Sequence, residues 1–130
     1  MHMKRLLLCA MALLMLGQTL EAATYRIEDV PNVQRMDRTR FVANPDGILS
    51  ADAVAAIDAV CYSLKERGIA EVAVVAVESI GFAEPREFAT ELFRHWGIGE
   101  KGRDNGLLVL LVLGQGAVEI ETGYGMEGEL

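Results

Sequence analysis

Asp104-Asn105-Gly106 and Glu121-Thr122-Gly123-Tyr124-Gly125-Met126-Glu127-Gly128 are two polar, glycine-rich segments at either end of one mostly apolar stretch. Glycine marks positions where the backbone needs positive φ or where something approaches the main chain closely. Two such segments beside carboxylates and an amide describe a binding surface. Asp104, Asn105, Glu127 and Glu121 offer the oxygen ligands that a hard cation prefers, Ca2+ first and Mg2+ as the alternative. Asp46 joins them only if the strand at Phe41 runs antiparallel to the one at Leu107. Lys101 and Arg103 are the cations nearest the first segment and the candidate contacts for a phosphate or an acidic partner. Tyr124 is a further contact candidate, better suited to packing than to donating a proton. The plainer alternative is that Asp104-Asn105-Gly106 caps a loop through side-chain to backbone hydrogen bonds while the glutamates are solvated.

The elements that position these residues follow from periodicity. Residues 107–113 lack alternation and read as a central strand, and Gly114-Gln115-Gly116 reads as a three-residue turn. Residues 117–122 alternate, with Val118 and Ile120 on one side and Glu119 and Glu121 on the other, as the edge strand of a hairpin. If Leu113 faces Ala117, Gly106 falls opposite Tyr124 and Asn105 opposite Gly125, to within about one residue. The two glycine segments therefore meet.

Upstream, residues 72–77 are apolar at every position and rich in β-branched side chains, which predicts a strand covered on both faces and helices flanking the sheet. Ser50 is an N-cap, followed by Ala53, Val54, Ile57, Val60, Cys61 and Leu64 at helical spacing and a stop at Gly68. Cys61 lies on that stripe as a small core residue. A second helix begins near Pro85 and buries Phe88, Ala89, Leu92, Phe93 and Trp96. Glu91 and His95, four apart on its other face, read as a solvated pair. Phe41-Val42-Ala43 is a short strand stopped by the turn Asn44-Pro45-Asp46-Gly47. Residues 23–40, mixed in charge and without period, read as an extended arm. The fold class is α/β: a single mixed, mostly parallel sheet flanked by helices, ending in a C-terminal β-hairpin.

Lys4-Arg5, the apolar run 6–16 and the small pair Ala22-Ala23 match the charged, apolar and small-residue parts of a secretory signal. Residues 1–22 are accordingly read as a signal peptide and the product as exported, periplasmic or associated with the cell envelope. The apolar run is too short to span a bilayer. Membrane contact then requires lipidation, for which Cys9 is the candidate, or a further C-terminal segment. Without residues 1–22 the formal charge moves from −7 to −8 over 108 residues, the size of one domain. So acidic a chain, with its arginines scattered among acids, has no basic face for a nucleic acid. Cys61 would stand alone, which leaves no internal disulfide.

Val30-Pro31-Asn32, Gly47-Ile48-Leu49-Ser50, Ile57-Asp58, the strand at Val72, residues 88–93, Trp96-Gly97-Ile98-Gly99, Asp104-Asn105-Gly106 and Gly123-Tyr124-Gly125-Met126-Glu127-Gly128 occur in that order. In these residues the chain resembles the TPM-domain family, over residues 41–130. The resemblance implies an α/β domain with a mostly parallel sheet, found in exported or membrane-anchored bacterial proteins and in a thylakoid protein of photosystem II repair. The plant member is described as a calcium-binding acid phosphatase and an animal member as an auxiliary receptor subunit, so the fold is not tied to one function. Where many members carry Asp after the first strand this chain has Asn44, with Asp46 as a substitute ligand. The family pattern continues past the position of Glu129-Leu130, so the domain is expected to be truncated at its C-terminus.

Two classes of function remain. One is a module in which the cleft between the glycine loops binds a divalent cation, an envelope protein partner, or both. The other is a metal-assisted acid phosphatase acting on phosphate monoesters. That reaction needs a nucleophile or activated water, and positive charge on the developing phosphoryl oxygens. No Asp-x-Asp pair opens a sheet and no histidine set suits a di-metal site. The catalytic residues of an enzyme are therefore unassigned.

Overall fold

A computed structural model describes residues 23–99 and 101–126. The signal read at residues 1–22, the candidate ligand Glu127 and the end of the chain lie outside them. Four strands form one open sheet in the order β1-β2-β3-β4. β1 (Val42–Ala43), β2 (Glu71–Val77) and β3 (Gly106–Val112) run parallel, and β4 (Ala117–Thr122) returns antiparallel to β3. Three helices accompany them: α1 (Val33–Met36), α2 (Ala51–Glu66) and α3 (Pro85–Trp96). The α/β sheet with its C-terminal hairpin is the fold expected from the sequence.

The helix ends are fixed by local chemistry. Ser50 Oγ accepts the Ala53 amide at 3.1 Å and starts α2. The Glu84 carboxylate accepts the amides of Arg86 and Glu87 at 3.3 and 3.0 Å, with Pro85 in the first turn of α3, and Gly97 at φ 59° closes that helix. On one face of the sheet α3 and the arm cover Val75, Val77, Leu108, Leu110 and Val112, with Phe88 and Leu92 from the helix and Val30 and Val33 from the arm. On the other face α2 covers a smaller cluster of Phe41, Cys61, Ala70, Val72 and Met126. Residues 23–40 are thus packed rather than merely extended. They contain a 3-10 turn at Ile27–Asp29 and helix α1, and the Tyr25 amide donates to the Ser79 carbonyl at 3.0 Å.

Two expectations change in detail. Val60 is 61% exposed, so the inward stripe of α2 narrows to Ile57, Cys61 and Leu64, and the helix lies over β1 and β2 rather than over the hairpin. The hairpin pairs Val112 with Ala117, not Leu113 with Ala117, because a 3-10 turn at Leu113–Gln115 takes Leu113 out of the strand. With a side-chain period of two, that one-residue slip exchanges the faces of β4. Glu119 and Glu121 join Leu110 and Leu108 on the α3 face, while Val118 and Ile120, each 60% exposed, join Leu111 and Val109 on the other. Among the described residues no helix is long and apolar enough to cross a membrane.

Candidate functional site

The two glycine segments do meet, and backbone contact between them accounts for their composition. The Gly123 amide donates to the Gly106 carbonyl and the Gly125 amide to the Asp104 carbonyl, both at 2.9 Å. A Cβ on Gly123 would run into the Asp104 carbonyl, and one on Gly125 into the Arg103 carbonyl. Asp104 holds φ at 49°, the left-handed region that a non-glycine residue rarely occupies, and presents its side chain to solvent.

The candidate ligands separate. The condition for Asp46 is not met: β1 runs parallel to β2 and β2 to β3, so Asp46, after β1, stands at the opposite end of the sheet from Asp104, before β3. There it accepts the Tyr25 hydroxyl at 3.0 Å on Oδ1 and the Glu78 amide at 2.9 Å on Oδ2, fastening the arm to the ends of β1 and β2. Burial, then the Asp46 hydrogen bond and charge, raise the pKa of that tyrosine. Glu121 Oε2 accepts the Thr90 hydroxyl at 3.0 Å, on the α3 side. Asn105 is buried at 4% exposure, and its carbonyl accepts the Glu71 amide at 3.0 Å, continuing the β2–β3 ladder. Among the described residues no group of three His, Cys, Asp or Glu converges as a metal-binding set.

Of the predicted contact residues, Lys101 is exposed and Arg103 reaches back to donate from Nη1 to the Gly68 carbonyl at 3.3 Å, at the turn after α2. Tyr124 does not pack; it is 83% exposed beside the loops. Asn44 has a structural use of its own. Its Nδ2 donates to the Leu49 carbonyl at 2.8 Å and its Oδ1 accepts the Leu49 amide at 3.1 Å, closing the β1–α2 loop. A carboxylate has no N–H to give that carbonyl. Asn44→Asp is therefore expected to cost about 1–3 kcal/mol, read as a lower urea midpoint at unchanged slope.

Cys61 and Arg67 stand at Cys-x5-Arg spacing, a pattern that serves phosphoryl transfer where it forms a loop with a thiolate at its base. Here Cys61 lies inside α2, 4% exposed, and burial followed by the Asp58 charge pushes its thiol up to about 11. It is a core residue, not a nucleophile.

Arg86, Thr90 and Arg94 were not among the sequence candidates. They recur at four-residue intervals along α3 and so form one ridge. Because α3 packs along β4, this ridge becomes one wall of a groove of about 510 Å³. Ile120, Glu121, Thr122, Gly123, Tyr124 and Asp104 form the rest of its lining. Two guanidinium groups and two carboxylates thus share the groove. The ion pairs among the described residues are those of Arg26, with none to Arg86 or Arg94. The groove can hold a ligand by charge on either sign and by the face of Tyr124.

Residues 42–130 match the TPM domain. The chain is similar to the solution NMR structure of the N-terminal domain of a protein from P. gingivalis, with 42% identity and a TM-score of 0.74 over 82% of this chain and 68% of that one. No curated protein matches it.

Proposed function

The chain belongs to the TPM-domain family, and from that footing we propose that it is an exported, non-catalytic module of the cell envelope whose groove beside the glycine loops binds a protein partner. The export half of this reading rests on the pattern of residues 1–22. The observation that carries the binding half is Tyr124, 83% exposed on the rim of a groove that also holds Arg86, Arg94 and Asp104. An aromatic ring that costs little entropy to order, beside charges that form no ion pair among the described residues, is the composition of a recognition site. A photo-crosslinking residue at position 124, in cells, should capture a discrete envelope protein. The same residue at Asp52, exposed in the first turn of α2 at the opposite end of the sheet, should not. Equal labelling from both positions, or none from 124, would refute the reading.

A divalent cation belongs to this proposal as an adjunct, resting on Asp104 with Glu127 now that Asp46 and Glu121 are engaged elsewhere. Millimolar Ca2+ is expected to raise the Tm of the wild type, since a ligand held by the folded state alone adds about 1.4 kcal/mol at roughly ten times Kd. Asp104→Asn should remove that increment and leave the metal-free Tm nearly unchanged. Equal responses in the two proteins would delete the cation from the proposal.

A second reading, hydrolysis of phosphate monoesters, is favoured by Arg86 and Arg94, which bring to the groove the positive charge that phosphoryl oxygens require. Turnover of p-nitrophenyl phosphate with added Ca2+ or Mg2+, lost in Arg94→Ala with the fold intact, would establish it over the module reading.

A further inference from the structure

The hydrogen-bond pattern of the hairpin determines which backbone groups of β4 are left over. The Gly123 amide bonds the Gly106 carbonyl, so Gly106 and Gly123 form a hydrogen-bonded pair of the antiparallel ladder. Alternation along the register then makes Leu108–Glu121, Leu110–Glu119 and Val112–Ala117 hydrogen-bonded pairs too. Val118, Ile120 and Thr122 consequently turn their N–H and C=O groups away from β3. β4 is the last strand of the sheet, so these groups point out of its edge. Residues 117–122 include neither Pro nor Lys; the charges on this edge strand are Glu119 and Glu121, both on the α3 face, which leaves Val118 and Ile120 uncovered on the other.

That edge lies in the groove. Ile120 and Thr122 line it together with Arg86, Thr90 and Arg94 of α3. Any strand added there must alternate its side chains between the two faces of the sheet. One set comes under the α3 ridge and meets Arg86 and Arg94, neither of which has an ion pair among the described residues. The other set extends the face on which Val118 and Ile120 are each 60% exposed.

We infer that β4 receives an extended peptide segment of a partner protein as a fifth strand, and that the segment alternates acidic with apolar residues. This rests on the groove being the partner site. Main-chain bonds to Val118, Ile120 and Thr122 supply affinity, and the two faces supply the sequence preference. A second copy of this chain offers the same alternation in its own β4 but is a poorer occupant. Its α3 would arrive with it, bringing the second copy's arginine ridge against the first and Glu119 beside the second copy's Glu121. A bare extended segment brings no second ridge; its acidic side chains share the α3 face with Glu119 and Glu121, and it is held because their attraction to Arg86 and Arg94 outweighs that repulsion.

The test uses the full chain, labelled with 15N, and two blocked peptides, acetyl-Val-Glu-Val-Glu-Val-Glu-amide and its counterpart with Lys at every Glu. The acidic peptide should slow amide exchange at Ile120 and Thr122 at least tenfold at saturation. Glu119 and Glu121, whose amides already bond β3, should be unaffected. The lysine peptide should leave all four unchanged. The double variant Arg86→Glu/Arg94→Glu, altered only at exposed positions, should keep its Tm and weaken the acidic peptide at least tenfold. Binding without protection of Ile120 and Thr122, equal affinity in the variant, or no binding at millimolar peptide would overturn the inference. So would protection of those amides that grows with protein concentration in the absence of peptide, which would mean self-pairing. A specific crosslink from position 124 without edge protection would leave the module reading standing and remove strand addition alone. Loss of both would remove the partner site itself.

Discussion

Leu110→Ala is expected to lower the unfolding free energy by about 2–5 kcal/mol, measured by urea denaturation. Leu110 is 0% exposed, sits opposite Val75 on β2 and Glu119 on β4, and belongs to the cluster that α3 and the arm cover. Truncation removes its transfer free energy and leaves a void that neighbours locked in three elements cannot close. Small domains are stable by only about 5–15 kcal/mol, so the variant is expected to be partly unfolded at physiological temperature. A loss below about 0.5 kcal/mol, the range of surface substitutions, would show that this side chain does not occupy the core.

Gly125→Ala is the second large effect, and its cause is different. Its cost comes from close approach: the new Cβ would run into the Arg103 carbonyl, a backbone atom with no rotamer to escape into. The Gly125 amide would also be pushed off the Asp104 carbonyl it now bonds at 2.9 Å. A loss of about 1–3 kcal/mol is expected, as for other overpacked sites. Gly47→Ala isolates the opposite case, with φ at 65° and open space around the added methyl group, so only the conformational cost of about 1–2 kcal/mol applies. If Gly125→Ala matches the wild-type midpoint, the two loops are not seated on each other and the groove loses its floor.

The elements legible in the sequence are those whose signals are local. Ser50, Pro85 and the apolar runs of β2 and β3 declare caps and strands within a few residues of themselves, and the structure has them there. The meeting of the glycine segments was also readable, because two strands joined by a short turn must lie side by side. What decided the faces of β4 was whether Leu113 belongs to the strand or the turn, and nothing in an all-apolar run marks that choice. Asp46 depended on the direction of a two-residue strand, which is set by its long-range pairing with β2 rather than by its own residues. The ridge of Arg86, Thr90 and Arg94 was visible as a spacing. Its meaning came only from α3 lying along β4, a tertiary fact. The glycines themselves were read as making room for a ligand, whereas the room is taken by the neighbouring backbone.

Cys61 turns the smaller core into its own reporter. The thiol shares its cluster with Met126, the last described residue of the 3-10 turn that follows β4, together with Phe41, Ala70 and Val72. A thiol reacts readily only when it is both ionised and reachable, and burial denies Cys61 both. Its reaction with an alkylating reagent therefore proceeds through opening events, and the rate counts them. Since one wall of its enclosure is the turn that also carries Tyr124, that count is tied to the groove: whatever clamps the turn from outside slows the clock within.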